Sequence, residues 1–412
     1  MLINYFKIAI AVLKRRKFFT FISLFGISFS LTILMVLTAA IDHLVSPSYP
    51  DVHRDRSLYS MTLKLTDPKE QGQRTGPFNY HFLHTYVESM KTPEAVAISS
   101  IFAPSNTYVN NQKLVIDIKY TNEGFWKVLQ FQFLEGKPYT QAQIDAGERV
   151  AVITESTRDR YFGKGVPAVG KLLETDNVQY RIAGVVKSVA ITQVFAYGDM
   201  YLPWTVSQQH TAKKGYNGMF IPILLAPSKA DLPAMQAEYA HQMSKVPMPH
   251  EHFTELESHA KPYLTTFTRM LLGKHDSDGT SKLMIYLGAF LLFFLLLPTL
   301  NLVNLNLSRI LERASEIGVR KAFGASSGTL VVQFIVENVI LTLIGGIIGM
   351  ALSFIVIGIL NQAELLSHVT LSLNYKVLAI SMVICLVFGC MSGVYPAWRM
   401  SRMQIATALK TV

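Results

Sequence analysis

The sequence predicts an α-helical membrane protein with four transmembrane helices and a large α+β extracytoplasmic domain inserted between helices 1 and 2. Three observations predict it. Only 16% of the 412 residues are charged, against about 25% in an ordinary soluble domain. The apolar residues gather into four long stretches. A 241-residue segment of mixed strand and helix patterning separates the first stretch from the second.

The four spans are 18–41, 283–307, 330–360 and 377–397. They hold 24, 25, 31 and 21 residues, and Glu337 in the third is their one charge. A bilayer core of about 30 Å needs about 20 helical residues, so each is long enough to cross. The first span exceeds the usual signal-peptide core of about 7–15 residues, so it reads as an uncleaved anchor.

The remaining segments follow from these boundaries: 1–17, 42–282, 308–329, 361–376 and 398–412. The segments 1–17, 308–329 and 398–412 fall on one side of four crossings and together carry 12 basic and 2 acidic residues. That imbalance equals the whole net charge of +10. The positive-inside rule makes this side cytoplasmic, with both termini there and 42–282 outside the inner (cell) membrane. Short basic flanks beside lipid explain the pI of about 9.4, and no nucleic-acid partner is implied.

The outer segment has the length for its own core. Alternation predicts strands over 57–65 and 113–120, a short apolar run another over 149–154, and 171–187 reads as a hairpin turning at Asp176-Asn177. A further strand over 220–226 holds Pro222, which predicts an edge position. Helices are expected over 79–90, 155–162 and 232–245, the last with Asp231 as N-cap and Pro233 in its first turn.

Sites for chemistry are sparse. The run from Gly165 to Leu172 nearly fits a phosphate loop, but Leu172 stands where Ser or Thr must hold magnesium, and Pro167 lacks an amide. It reads as a turn before the hairpin. His81 and His84, or His250 and His252 near Glu255, have metal-ligand spacing but read better as surface residues. Cys385 and Cys390 would lie about 140° apart around one helix, which excludes a bond between them. No catalytic constellation stands out, so a non-catalytic protein is expected, with no metal and no cofactor.

Helix 2 carries Pro298, Asn301 and Asn304, and its continuation turns charged, with Glu316 four residues before Arg320. Gln333 and Glu337 share a face of helix 3. Gly345 and Gly349, and Gly389 and Gly393, form small-xxx-small pairs suited to close helix packing.

The segment from Arg313 to Gly349 reads RASEIGVRKAFGASSGTLVVQFIVENVILTLIGGIIG. It resembles the MacB/FtsX-like permease family of ABC transporters. Arg313, Glu316, Ile317, Gly318, Val319, Arg320, Lys321, Ala322, Gly324, Ala325 and Ser326 match the family pattern. Gln333, Glu337, Gly345, Gly346 and Gly349 continue it. The ending from Tyr395 to Arg402, with Ala408-Leu409-Lys410, is similar to the family's tail. The outer segment follows the order of the family's MacB-type periplasmic core domain at 150–155, 161–163, 169–171 and 182–187.

The resemblance implies a dimeric permease, built from two copies or a paralogous pair. A cytoplasmic ABC ATPase would drive it, and that partner would bind the ATP and magnesium. With no complete phosphate loop here, an ATPase in trans is expected. It also implies mechanotransmission, in which ATP-driven motion reaches the outer domain for export or envelope substrate handling. Arg313, Glu316, Ile317, Gly318, Arg320, Lys321 and Gly324 are the expected ATPase contacts. Membrane lipid, a periplasmic adaptor or an envelope enzyme are further partners it allows. The alternative is a membrane-anchored regulatory or signalling protein that senses an outer ligand or controls an envelope enzyme.

Overall fold

The first long helix, α1 (Lys17–Val45), is 29 residues of almost purely apolar sequence. At 1.5 Å per residue it is about 44 Å long. Its faces differ. Ser23, Ile27, Ser28, Leu31, Thr32 and Met35 are buried, whereas Phe18, Phe21, Phe25 and Phe29 are exposed. The rings of Phe21, Phe25 and Phe29 stack in succession, with centroids 6.2 and 5.5 Å apart.

The structure, a computed structural model, describes residues 10–11, 14–15, 17–67, 72–109, 111–207, 215–249, 253–272, 279–312, 327–363, 368–369, 371–373, 375–376, 378–380, 382–384 and 386–387. The chain divides into two units. One comprises Met1–His43, Ser281–Leu365 and Thr370–Val412, and the other Leu44–Thr280 with Leu366–Val369.

The outer unit opens with β1 (Ser57–Tyr59), β2 (Leu63–Asp67), β3 (Gly72–Gly76), α2 (Tyr80–Tyr86), β4 (Ala95–Ser100), β5 (Ala103–Val109) and β6 (Gln112–Thr121). It continues through α3 (Gly124–Val128), β7 (Phe133–Gly136), α4 (Gln141–Asp145), β8 (Val150–Thr154), α5 (Glu155–Phe162), β9 (Leu172–Thr175) and β10 (Val178–Val186). It closes with β11 (Met200–Pro203), β12 (Phe220–Leu225), α6 (Leu232–Ser244), β13 (Glu255–Ser258), β14 (Lys261–Pro262) and α7 (Tyr263–Leu272).

A mixed sheet takes the order β14-β1-β12-β4-β6-β11-β8-β10-β7, with β5 also on β6 and β9 on β10. Two of its pairings, β8 with β10 and β6 with β11, are parallel. A three-stranded sheet, β13-β2-β3, stands beside it. The architecture is therefore α+β, and strands buried on both faces, such as β8 and β12, read as unbroken apolar runs.

The expected hairpin is present. Asp176 and Asn177 adopt φ of 48° and 60°, the left-handed pair that a two-residue turn requires. The expected strand over 57–65 is instead two strands. The chain leaves the large sheet after Tyr59 and joins the small one at Leu63, because Ser60 is buried and bonded between them, to the Pro222 carbonyl and near Ser258. The strand with Pro222 is not an edge but lies between β1 and β4. Its last partner on β1 is Tyr59, opposite Ile223, so the missing N–H falls where that ladder has ended. Asp231 makes no cap bond to α6. Its carboxylate instead accepts from Ser228 N and Oγ, 3.1 and 2.8 Å away, closing the preceding 3-10 turn.

One feature of the large sheet governs its cohesion. The register between β4 and β6 pairs only Ser99 with Thr121, and a backbone bond from Asn122 N to Ile98 O (3.0 Å) adds to it. Side chains complete the seam: Asn122 Oδ1 accepts from Ile98 N (2.9 Å), its Nδ2 donates to Val96 O (3.1 Å), and Ser100 Oγ accepts from Tyr120 N (2.9 Å). Lys119, fully buried, donates to Ser100 O at 2.8 Å.

The other unit holds α1, α8 (Gly279–Glu312) and α9 (Ser327–Gln362). Among the described residues, Lys17–Val45 and Ile335–Gln362 are long and apolar enough to cross a bilayer, and Gly279–Phe294 is a shorter apolar stretch.

Candidate functional site

The residues expected to meet an ATPase, Arg313, Glu316, Ile317, Gly318, Arg320, Lys321 and Gly324, lie outside the described residues. So do Gly389, Gly393, His250, His252, Cys385 and Cys390. Gly345 and Gly349 are described, and both lie against α1. A Cβ at Gly349 would stand 2.9 Å from Ser28 O and 3.0 Å from Leu31 Cβ, and one at Gly345 would stand 2.8 Å from Ile27 Cγ2. Only glycine admits this approach of the two backbones. Thr32 Oγ1 crosses the contact, donating toward Ser28 O (2.7 Å) and Gly349 O (3.2 Å). Glu337 is buried in the same unit at 3% exposure. His84 pairs with Glu88 at 2.6 Å, and among the described residues no group of three or more His, Cys, Asp or Glu converges on a metal-sized space.

Within the outer unit, a buried polar cluster lies just after the end of α1. Arg54, 4% exposed, is held in a 3-10 turn just before β1. Its Nε donates to Asp51 Oδ2 at 2.9 Å. Its Nη1 donates to the carbonyls of Leu44 (3.1 Å) and Ser46 (2.9 Å), capping the end of α1 with a cation. Its Nη2 donates to Gln193 Oε1, whose amide in turn donates to Ser48 Oγ. Tyr59 on β1 donates to both oxygens of Asp51, at 2.9 and 2.8 Å. Burial, then the Asp51 charge, raises the Tyr59 hydroxyl well above its ordinary pKa of 10.0, so it stays a donor.

The guanidinium also lies over the ring of Tyr263, the first residue of α7. Tyr59, Phe195 and Tyr263 pack edge-on or tilted around it. From the middle of α7, Thr268 Oγ1 lies 3.0 Å from Thr280 Oγ1 in the first turn of α8. Thus one buried ion pair ties the end of α1, the sheet and α7 together, and α7 is tied to the start of α8. The polar atoms of the cluster are spent on one another: Arg54 donates to Asp51, Leu44, Ser46 and Gln193, and Tyr59 to Asp51.

Sequence reasoning missed this cluster. Asp51 and Arg54, three apart directly after an apolar span, were its only local trace. Gln193 and Tyr263 arrive from about 140 and 210 residues away.

Comparison with known proteins follows the same division. The family profile of the MacB-like periplasmic core domain matches residues 20–241, and that of the FtsX-like permease C-terminal region matches 288–405. The chain is 24% identical over 292 residues to the uncharacterized ABC transporter permease YknZ of Bacillus subtilis (strain 168), covering 70% of this chain and 68% of that one. It is 26% identical over 358 residues to the pyoverdine export ATP-binding/permease protein PvdT of Pseudomonas aeruginosa, covering 80% and 50%. It is 22% identical over 408 residues to the macrolide export ATP-binding/permease protein MacB of Hahella chejuensis, covering 98% and 59%. The chain thus spans only half to three fifths of the latter two relatives. Among solved structures, the periplasmic region of MacB from Actinobacillus actinomycetemcomitans aligns with a TM-score of 0.37 and 13% identity, over 53% of this chain and 94% of that one.

Proposed function

The chain belongs to the MacB/FtsX-like family of ABC transporter permeases, and on that premise we propose that it is the membrane subunit through which a cytoplasmic ATPase moves the outer domain. In this reading four helices cross the membrane, both termini face the cytoplasm, and the permease works as a dimer. ATP and magnesium belong to the ATPase. Export, the activity in the names of PvdT and MacB, is the direction we assign.

The observation that carries the reading is the Arg54 cluster. A force transmitter needs the end of its input helix fixed to the moving body, and Arg54 bonds the last carbonyls of α1 to Asp51, β1 and α7. Buried and multiply bonded charge resists shear better than apolar contact, because each group it binds would be left unpaired by slippage.

The cytoplasmic input is assigned to Arg313, Glu316, Ile317, Gly318, Arg320, Lys321 and Gly324. Its test is charge reversal. Glu316→Lys or Arg320→Glu is expected to lower ATPase coupling while the protein stays in the membrane. Purification of the solubilised wild-type chain with a stoichiometric ATPase supports the reading. Unchanged transport and ATPase assembly in both variants would overturn it.

A further inference from the structure

A cavity of about 290 Å³ opens between β2, β13 and α7 in the outer unit. It has an apolar side and a charged side. Met61 and Met270 line the first. On the second stand Lys64, Arg269, Glu257 and His259. Lys64 and Glu257 face each other across the β2–β13 pair, with Nζ 3.6 Å from Oε2, and Glu257 Oε1 also meets His259 Nε2 at 3.1 Å. The Nε of Arg269 is buried without a hydrogen-bond partner among the described residues. A buried guanidinium N–H left unpaired is costly, and an oxyanion is the acceptor that suits it.

The charges give the sign. Two basic side chains, Lys64 and Arg269, stand against the one carboxylate of Glu257, so basic groups outnumber acidic ones in the lining by one. Its volume, at the low end for ligand sites, fits a head group and a few carbons but no whole lipid. The continuation is apolar: Met270, Leu271 and Leu272, at the end of α7, are 41%, 61% and 40% exposed. The apolar helix α8 starts seven residues later, at Gly279.

We propose that this cavity binds the anionic head and first carbons of a membrane amphiphile, an oxyanion carried on an acyl chain. Arg269 and Lys64 take the oxyanion, Met61 and Met270 pack on the first methylenes, and the chain leaves along Met270-Leu271-Leu272. The site is separate from the Arg54 cluster and needs no ATPase, so its test is independent of the function proposed above.

The test uses the full chain purified in a neutral maltoside detergent. Dihexanoyl phosphatidylglycerol, dihexanoyl phosphatidylcholine and inorganic phosphate are titrated separately, with affinity read by native mass spectrometry. The glycerol lipid is expected to bind about tenfold or more tighter than either comparator, and Arg269→Gln to remove about tenfold of that affinity. Thr62→Trp, which fills the cavity and keeps both cations, is expected to abolish binding. If Arg269→Gln fails to fold, Lys64→Gln takes its place in the same comparison. Equal binding of inorganic phosphate would reduce the site to a free-oxyanion pocket and overturn the proposal. Equal binding of the choline lipid would remove the role of head-group charge and overturn it too. Unchanged affinity in the charge variants or in Thr62→Trp would place the ligand elsewhere.

Discussion

The guanidinium carbon of Arg54 lies 3.8 Å from the centre of the Tyr263 ring. These residues are 209 positions apart, and one follows α1 while the other begins α7. The contact holds the turn that follows α1 against the first turn of α7 through a single side chain.

Arg54→Ala should therefore destabilise the protein by about 3–5 kcal/mol, because it leaves Asp51 buried and unpaired. Arg54→Lys should recover little, since an ammonium lacks the fork that reaches Asp51, Leu44, Ser46 and Gln193 together. Thermal unfolding in micelles reads the first effect. A variant that keeps its melting temperature would show that the pair bears no load.

Gly349 is expected to tolerate no larger residue. Gly349→Leu meets Ser28 O and Leu31 Cβ within 3.0 Å, forces the two helices apart and breaks the Thr32 bond, at a cost of about 1–3 kcal/mol or more. Gly358, with nothing within 4 Å of its would-be Cβ, supplies the contrast. Gly358→Ala should be neutral or stabilising by up to about 1 kcal/mol. Equal melting temperatures for the two variants would contradict the packing.

Asn122→Ala should cost about 2–4 kcal/mol, because the side chain serves two buried amides, Ile98 N and Phe125 N, besides the Val96 carbonyl. Asn122→Asp would set a buried carboxylate against the Val96 carbonyl and the Glu88 carboxylate that the amide now serves, so it should cost at least as much. Amide hydrogen exchange over 95–100 and 117–122 should rise first in the alanine variant. Protection unchanged there would mean the seam is held by other means.

Lys119 gives a pH dependence. Burial lowers its pKa from 10.5 to about 7. Below pH 7 both the folded and the unfolded chain carry the proton, so the cost of the buried charge is full. Between pH 7 and 10.5 the unfolded chain alone holds it, and the cost fades as pH rises. The stability of the wild type should therefore rise relative to Lys119→Met by about 1.4 kcal/mol per pH unit in that window. Parallel melting profiles from pH 7 to 10 would show that Lys119 is charged when folded.

Legibility in the sequence followed the range of the interactions. Helix α5 was read to its last residue, because Thr154 caps it locally and Gly163 ends it at φ 104°. The hairpin at Asp176-Asn177 needed only two residues that accept positive φ. Strands β4, β5 and β7 were not read, since their placement depends on partners rather than on alternation. Pro222 misled for the same reason: its tolerance comes from where β1 stops, which no local pattern records. The Arg54 cluster was invisible because three chain segments far apart in sequence build it, 44–59, 193–195 and Tyr263.

Midway across the large sheet, the register between β4 and β6 holds at a single pair, Ser99 and Thr121. A continuous ladder would spread a tug from the Arg54 end evenly across all its strands. Here a load crosses that join on one backbone bond, Asn122 N to Ile98 O, and on the side chains of Lys119, Ser100 and Asn122, while Gln193 gives the Arg54 end a second route, to the β10–β11 connection. The join is thus thin in backbone bonds, and its strength rests largely on side chains that a substitution can change.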